Sequence, residues 1–94
     1  MEFKIGETYG DSTSLYFIYL DKTYTIGEFI DQVLKERPNE WGYIKVLSTI
    51  EQCEYSKGKL LSNKFTPEIL SKKIKYVDGH GGYGLMDYII KVEE

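Results

Sequence analysis

Apolar and polar residues alternate with a period of two along several short segments, a pattern typical of half-buried β-strands. In residues 2–7, Phe3 and Ile5 alternate with polar residues. Residues 15–20 are apolar or aromatic on both faces, which predicts a central strand covered on each side. Further strands are predicted at residues 41–47, 52–55, 59–61, 73–77 and 85–92.

The pattern changes to the 3.6-residue period of an amphipathic helix after the second strand. Thr25 and Glu28 have the spacing of a capping box, in which each side chain accepts a backbone N–H of the other residue. Pro38 ends the apolar stripe, so the segment predicts a long helix over residues 26–37. Pro67 at a second helix start predicts a short helix over about residues 67–72.

These elements predict a single globular α+β domain spanning residues 1–94, because no repeat, linker or change of composition divides the chain. The expected architecture is a mainly antiparallel sheet of about five strands, with the long helix packed on one face. A hairpin followed by a capped helix is also how a β-grasp domain begins. A β-grasp arrangement of the strands is therefore an alternative, and that fold alone does not indicate a function.

Charge and composition restrict the classes of partner and the location. The 94 residues include 12 basic and 15 acidic side chains, a formal net charge of −3. General nucleic-acid binding is disfavoured, because it depends on neutralising phosphates with Lys and Arg. No apolar run approaches the length of a membrane span, and the N-terminus lacks the pattern of a signal peptide. With one cysteine and no internal disulfide, the expected location is cytoplasmic.

Few residues of the chain suggest a catalytic or metal-binding site. One His and one Cys cannot supply the usual ligand set of a structural zinc site, so neither a metal nor a cofactor is predicted. Cys53, with Glu51 and Glu54 beside it, is expected to be a small core residue. His80 is the one histidine and has Asp78 nearby, but catalysis would also need an oriented pair and a substrate pocket. We expect a protein that is not an enzyme.

The glycine-rich segment, residues 79–84, follows Asp78 and contains His80 and Tyr83. Apolar runs on either side predict a flexible hairpin loop. The alternative is a phosphate cradle for a nucleotide or another small ligand, with Lys73 and Lys75 nearby. The segment has neither the Lys-Ser/Thr ending of a P-loop nor a helix after it, so its glycines match no complete phosphate motif.

The chain has nine tyrosines, which is a surplus over what a small core is expected to bury, and Tyr55 belongs to this surplus. Tyrosine is enriched at protein interfaces. The predicted binding residues are therefore His80, Tyr83, Tyr43 and Tyr9. The expected function is that of a small non-catalytic protein-binding protein of the accessory, inhibitory or immunity type. Its partner would be another protein or a second copy bound through Tyr16 or Tyr19, and the abundance of Lys, Ile and Tyr favours a bacterial or phage origin.

Overall fold

The structure, a computed structural model, describes residues 4–8, 15–47, 51–62, 64–82 and 84–93. In these ranges two helices and seven strands alternate in the order β-β-α-β-β-β-α-β-β. The elements are β1 (Lys4–Thr8), β2 (Leu15–Tyr19), α1 (Ile26–Glu36), β3 (Trp41–Val46), β4 (Glu51–Ser56), β5 (Lys59–Leu60), α2 (Pro67–Leu70), β6 (Ile74–Gly82) and β7 (Leu85–Val92). The α+β class predicted from the sequence is confirmed.

The strands form one mixed sheet in the order β1-β2-β6-β7-β3-β4-β5. Strands β3 and β7 pair in parallel, and the other neighbouring strands described pair antiparallel. These pairings make β2 and β3 run in the same direction, joined through α1, with the β6–β7 hairpin between them. The sheet is wider than the five strands predicted. The β-grasp alternative is wrong, because its first strand would lie centrally beside the last, whereas β1 is at the edge.

Helix α1 begins with the predicted capping box. Thr25 Oγ1 accepts the N–H of Glu28 at 3.2 Å, and Glu28 Oε1 accepts the N–H of Thr25 at 3.0 Å. These two bonds satisfy backbone donors that have no partner inside the helix. The helix ends at Glu36, close to the predicted boundary, and its buried face consists of Ile26, Phe29, Ile30 and Val33.

Replacing the N-cap residue should destabilise the protein by a modest amount. We expect Thr25→Ala to lower the free energy of unfolding by about 1 kcal/mol, because the first turn loses a side-chain acceptor. Urea unfolding followed by circular dichroism would measure the change. Thr23→Ala is the matched control, since Thr23 is exposed and precedes the helix. Equal losses in the two variants would contradict a capping role for Thr25.

The core lies between the sheet and one layer of helix. The ring of Phe29 packs edge-on against Tyr88, with the ring centroids 5.4 Å apart. Ile69 of α2 joins the same core, and Gly27 of α1 lies close to Leu70. Cys53 is also fully buried, with its Sγ 2.9 Å from the carbonyl oxygen of Ser62. The prediction that this cysteine is a core residue is confirmed.

The predicted hairpin is present between β6 and β7, but the glycine-rich segment is mostly strand, so the predicted loop over residues 79–84 is wrong in its extent. Strand β6 continues to Gly82, which pairs with Leu85, and two residues connect β6 to β7. A Cβ added to Gly81 would lie 2.0 Å from the carbonyl oxygen of Leu85. Glycine is therefore needed at position 81 for close contact between two backbones, and this accounts for that residue without a ligand.

Candidate functional site: the sheet face opposite the helices

The sheet has one face that neither helix covers. Along β7, Met86, Tyr88, Ile90 and Val92 are buried, and the residues between them are partly exposed. Both helices contribute to the core on the buried side. We call the other side the open face. Its described residues include Tyr19, Trp41, Tyr43, Lys45, Gln52, Glu54, Tyr76, Asp78, His80, Leu85, Asp87, Ile89 and Lys91.

Large exposed apolar and aromatic side chains are concentrated on or beside this face. Trp41 and Tyr43 on β3 are 47% and 40% exposed, and they alternate with the buried residues Gly42 and Ile44. Leu61 lines a cleft of about 230 Å³ together with Tyr43. The most exposed members of this group in the described ranges are Tyr19, Trp41, Tyr43, Leu47, Leu61 and Tyr76.

Two of the predicted binding residues, His80 and Tyr43, lie on the open face around Asp87. His80 on β6 is directly opposite Asp87 on β7 in the antiparallel register. Asp87 Oδ1 in turn accepts the backbone N–H of Tyr43 on β3 at 2.9 Å. Sequence analysis missed Asp87. The alternation along β7 placed it on the polar side, but the parallel β3–β7 pairing that brings Tyr43 to it has no local sequence signal.

The two other predicted binding residues, Tyr9 and Tyr83, lie outside the described residues. Tyr55, which the sequence placed among the surplus tyrosines, is fully buried. Tyr24 and Tyr88 are buried as well, whereas Tyr19, Tyr43 and Tyr76 are exposed. The tyrosines whose side chains are described therefore divide between the core and the open face.

Two of the buried tyrosines, Tyr55 and Tyr88, form a polar cluster with Glu40 at one end of the core. Tyr88 donates a hydrogen bond to Glu40 Oε1 at 2.9 Å, and the Tyr55 hydroxyl lies 3.1 Å from the same oxygen. Tyr55 also donates to the carbonyl oxygen of Met86 at 2.7 Å. The Arg37 guanidinium is 3.8 Å from the other Glu40 oxygen. These contacts satisfy two phenols that would otherwise be costly to bury.

Burial raises the pKa of Tyr55 and of Tyr88 far above the usual value for tyrosine, and the nearby negative charge of Glu40 raises both further. Burial and a hydrogen bond to Asp21 raise the pKa of Tyr24 to about 12. All three phenols therefore remain protonated at neutral pH. Burial and hydrogen bonding thus keep these three phenols neutral inside the core.

Comparison with known proteins gave no match to a family model, to a curated protein or to a solved structure. Neither helix in the described part of the chain has the length and apolar character required to cross a membrane. Across the described ranges, His, Cys, Asp and Glu side chains form no group of three or more with the proximity of a metal site.

Proposed function

We propose that this chain is a small, non-catalytic protein-binding domain that holds its partner on the open face. The supporting observation is the set of exposed aromatic and apolar side chains on the sheet face opposite the helices. A concentration of this kind on a small domain is a mark of an interaction surface, whereas single exposed apolar residues are ordinary. The other sheet face is already buried in the domain's own core.

The proposed contact is centred on the part of the open face that β3 contributes. Trp41 and Tyr43 are the residue types that most often dominate binding energy at protein interfaces. Leu61 and four polar or charged side chains line the cleft beside Tyr43, which provides a recess for a polar side chain of the partner. Asp87 lies on the neighbouring strand β7, and His80 lies opposite it on β6. Both supply polar groups that fix the orientation of the partner.

The wider assignment follows from the sequence and is part of the same proposal. The protein acts in the cytoplasm of a bacterium or in cells infected by a phage, as an accessory, inhibitory or immunity-type factor. It works without a cofactor and without catalysis. Its partner is another protein or a second copy of the chain. General nucleic-acid binding is not part of the proposal, because the net charge of the chain is −3 and the described acidic residues of the open face outnumber its lysines.

The test combines light scattering of the purified protein with affinity capture from a bacterial lysate. We expect self-association or a captured partner, and Trp41→Ala and Tyr43→Ala should each weaken binding at least about tenfold. Asp31→Ala and Lys35→Ala are the matched controls, because both residues are exposed on α1 at the far side of the domain. A monomer at high concentration that captures nothing would count against the proposal, as would equal losses in the controls.

A further inference from the structure

The sheet has two edges, and the strands that form them differ in length. At one edge, β5 consists of Lys59 and Leu60 alone. At the other edge, β1 has five residues, and its pairing with β2 shows no register shift. Natural sheets shorten their edge strands or interrupt them with proline or a bulge, because an exposed edge pairs with other strands. The edge at β5 is shortened in this way, whereas β1 has neither a proline nor a bulge.

The direction of the backbone groups of β1 follows from the register of the sheet. Successive residues of a strand direct their N–H and C=O groups to opposite neighbours. The N–H of Leu47 on β3 donates to the carbonyl oxygen of Ile90 on β7 at 3.0 Å, so the odd-numbered residues of β7 bond toward β6. The alternation continues to β1 through the pairs Ile89–Asp78, Ile18–Val77 and Gly6–Phe17.

The outer side of β1 therefore carries the backbone groups of alternate residues. Gly6 bonds toward β2, whereas Ile5 and Glu7 direct their N–H and C=O groups away from the sheet. No strand in the described ranges pairs with that side of β1. These groups form a row that only another extended backbone matches in spacing.

This row is complementary to a second copy of itself. When two copies of β1 pair antiparallel with Gly6 opposite Gly6, Ile5 of each copy is opposite Glu7 of the other. Both of these pairs join outward-directed residues, so each pair forms two backbone hydrogen bonds. The two glycines are opposite each other where the strands approach most closely, at about 4.5 Å between Cα atoms. Lys4 is opposite Thr8 in this register, so no two like charges are opposite each other.

We propose that a second copy of the chain binds along β1, so that two seven-stranded sheets join into one. A two-fold axis perpendicular to the sheet at Gly6 relates the copies, as in most homodimers. This axis leaves the open faces of both copies on the same side of the joined sheet. The joint is separate from the contact around Trp41 and Tyr43, so this inference does not depend on the proposed function.

The experiment measures sedimentation equilibrium and amide hydrogen exchange of the full chain at concentrations from about 0.02 to about 1 mM. We expect a dimer with a dissociation constant of about 0.2 mM or less. Exchange at the amides of Ile5 and Glu7 should then slow at least about threefold over this range, because the dimer protects them. The amide of Gly6, which bonds toward β2, should be protected already at the lower concentration. A monomer at about 1 mM, or unchanged exchange at positions 5 and 7, would overturn the proposal.

A proline variant locates the joint. Proline is tolerated on an edge strand where the N–H points outward, so Glu7→Pro removes one bond of the joint and keeps the pairing with β2. We expect it to weaken dimerisation at least about tenfold with an unchanged circular dichroism spectrum. Trp41→Ala is the control and should dimerise like the wild type, even where it no longer captures a partner from a lysate. Dimerisation that survives in Glu7→Pro would overturn the proposal, and its loss in Trp41→Ala alone would assign self-association to the open face. If the proline variant did not fold, the exchange pattern of the wild-type protein would still decide.

Discussion

Replacing Gly42 by alanine should lower the free energy of unfolding by at least about 3 kcal/mol, a large share of the stability of a small domain. Gly42 lies on β3, next to β7 in the centre of the sheet. A Cβ there would lie 2.2 Å from the carbonyl oxygen of Met86 and 2.9 Å from Asp87 Oδ1. Because the clash is with backbone, no side-chain rotation relieves it, and the two strands must move apart.

Such a movement would also break a buried hydrogen bond, because the Met86 carbonyl oxygen accepts the hydroxyl of Tyr55. Urea unfolding would measure the loss. Gly27→Ala is the control: its nearest contact is the carbonyl oxygen of Leu70 at 3.3 Å, and alanine favours the helix, so the net change should stay within about 1 kcal/mol. A Gly42→Ala protein as stable as Gly27→Ala would show that the β3–β7 contact is looser than described.

The second large effect is a loss of stability in alkaline solution. Tyr55 and Tyr88 have raised pKa values in the folded protein, whereas a tyrosine in the unfolded chain titrates near pH 10. Above that pH the unfolded chain releases protons that the folded protein keeps, so stability falls as pH rises. By about pH 11 each of these two phenols has removed about 1.4 kcal/mol, so together they remove about 3 kcal/mol.

Urea unfolding at a series of pH values from about 8 to 11 would measure this slope. Tyr88→Phe should reduce the loss between about pH 8 and 11 by about 1.4 kcal/mol, because one buried titrating group is removed. Tyr43→Phe and Tyr76→Phe are the controls, since both tyrosines are exposed. Stability that does not change across this range, or an equal effect in the exposed variants, would contradict the link between burial and titration.

The parts of the fold that could be predicted are those with a complete local signal. The capping box of Thr25 and Glu28 and the apolar stripe after it lie within one helix, so the sequence was sufficient to place α1. The alternation in residues 85–92 likewise predicted β7 with its correct buried side. In both cases, neighbouring residues in the chain determine the structure.

Features that depend on strand neighbours could not be predicted in this way. The glycine at position 81 resembled a loop residue, but the backbone of Leu85 explains it. Tyr55 resembled a surplus aromatic, but Glu40 and Met86 provide partners that allow its hydroxyl to be buried. Asp87 became part of the candidate site only through the pairings of β7 with β6 and β3. Each of these outcomes depends on residues distant in the chain.

Fewer tyrosines are available for binding than the count of nine suggests. Tyr24, Tyr55 and Tyr88 are core residues, so they lend no support to binding. The exposed rings of Tyr19, Tyr43 and Tyr76 lie on the open face, and the proposed function rests on them together with Trp41. The original count of tyrosines thus overstated the surface available to a partner, whereas their positions define where that surface is.

The strand order also affects how the chain is assembled during synthesis. The strands β6 and β7 lie in the middle of the sheet but are translated after the strands on either side of them, so they insert between segments made earlier. Until they leave the ribosome, β2 has no neighbour on its inner side, and β3 lacks its parallel partner. Before that point the strands on the two sides of β6 and β7 cannot belong to one sheet, and the complete sheet forms only after translation has passed residue 92.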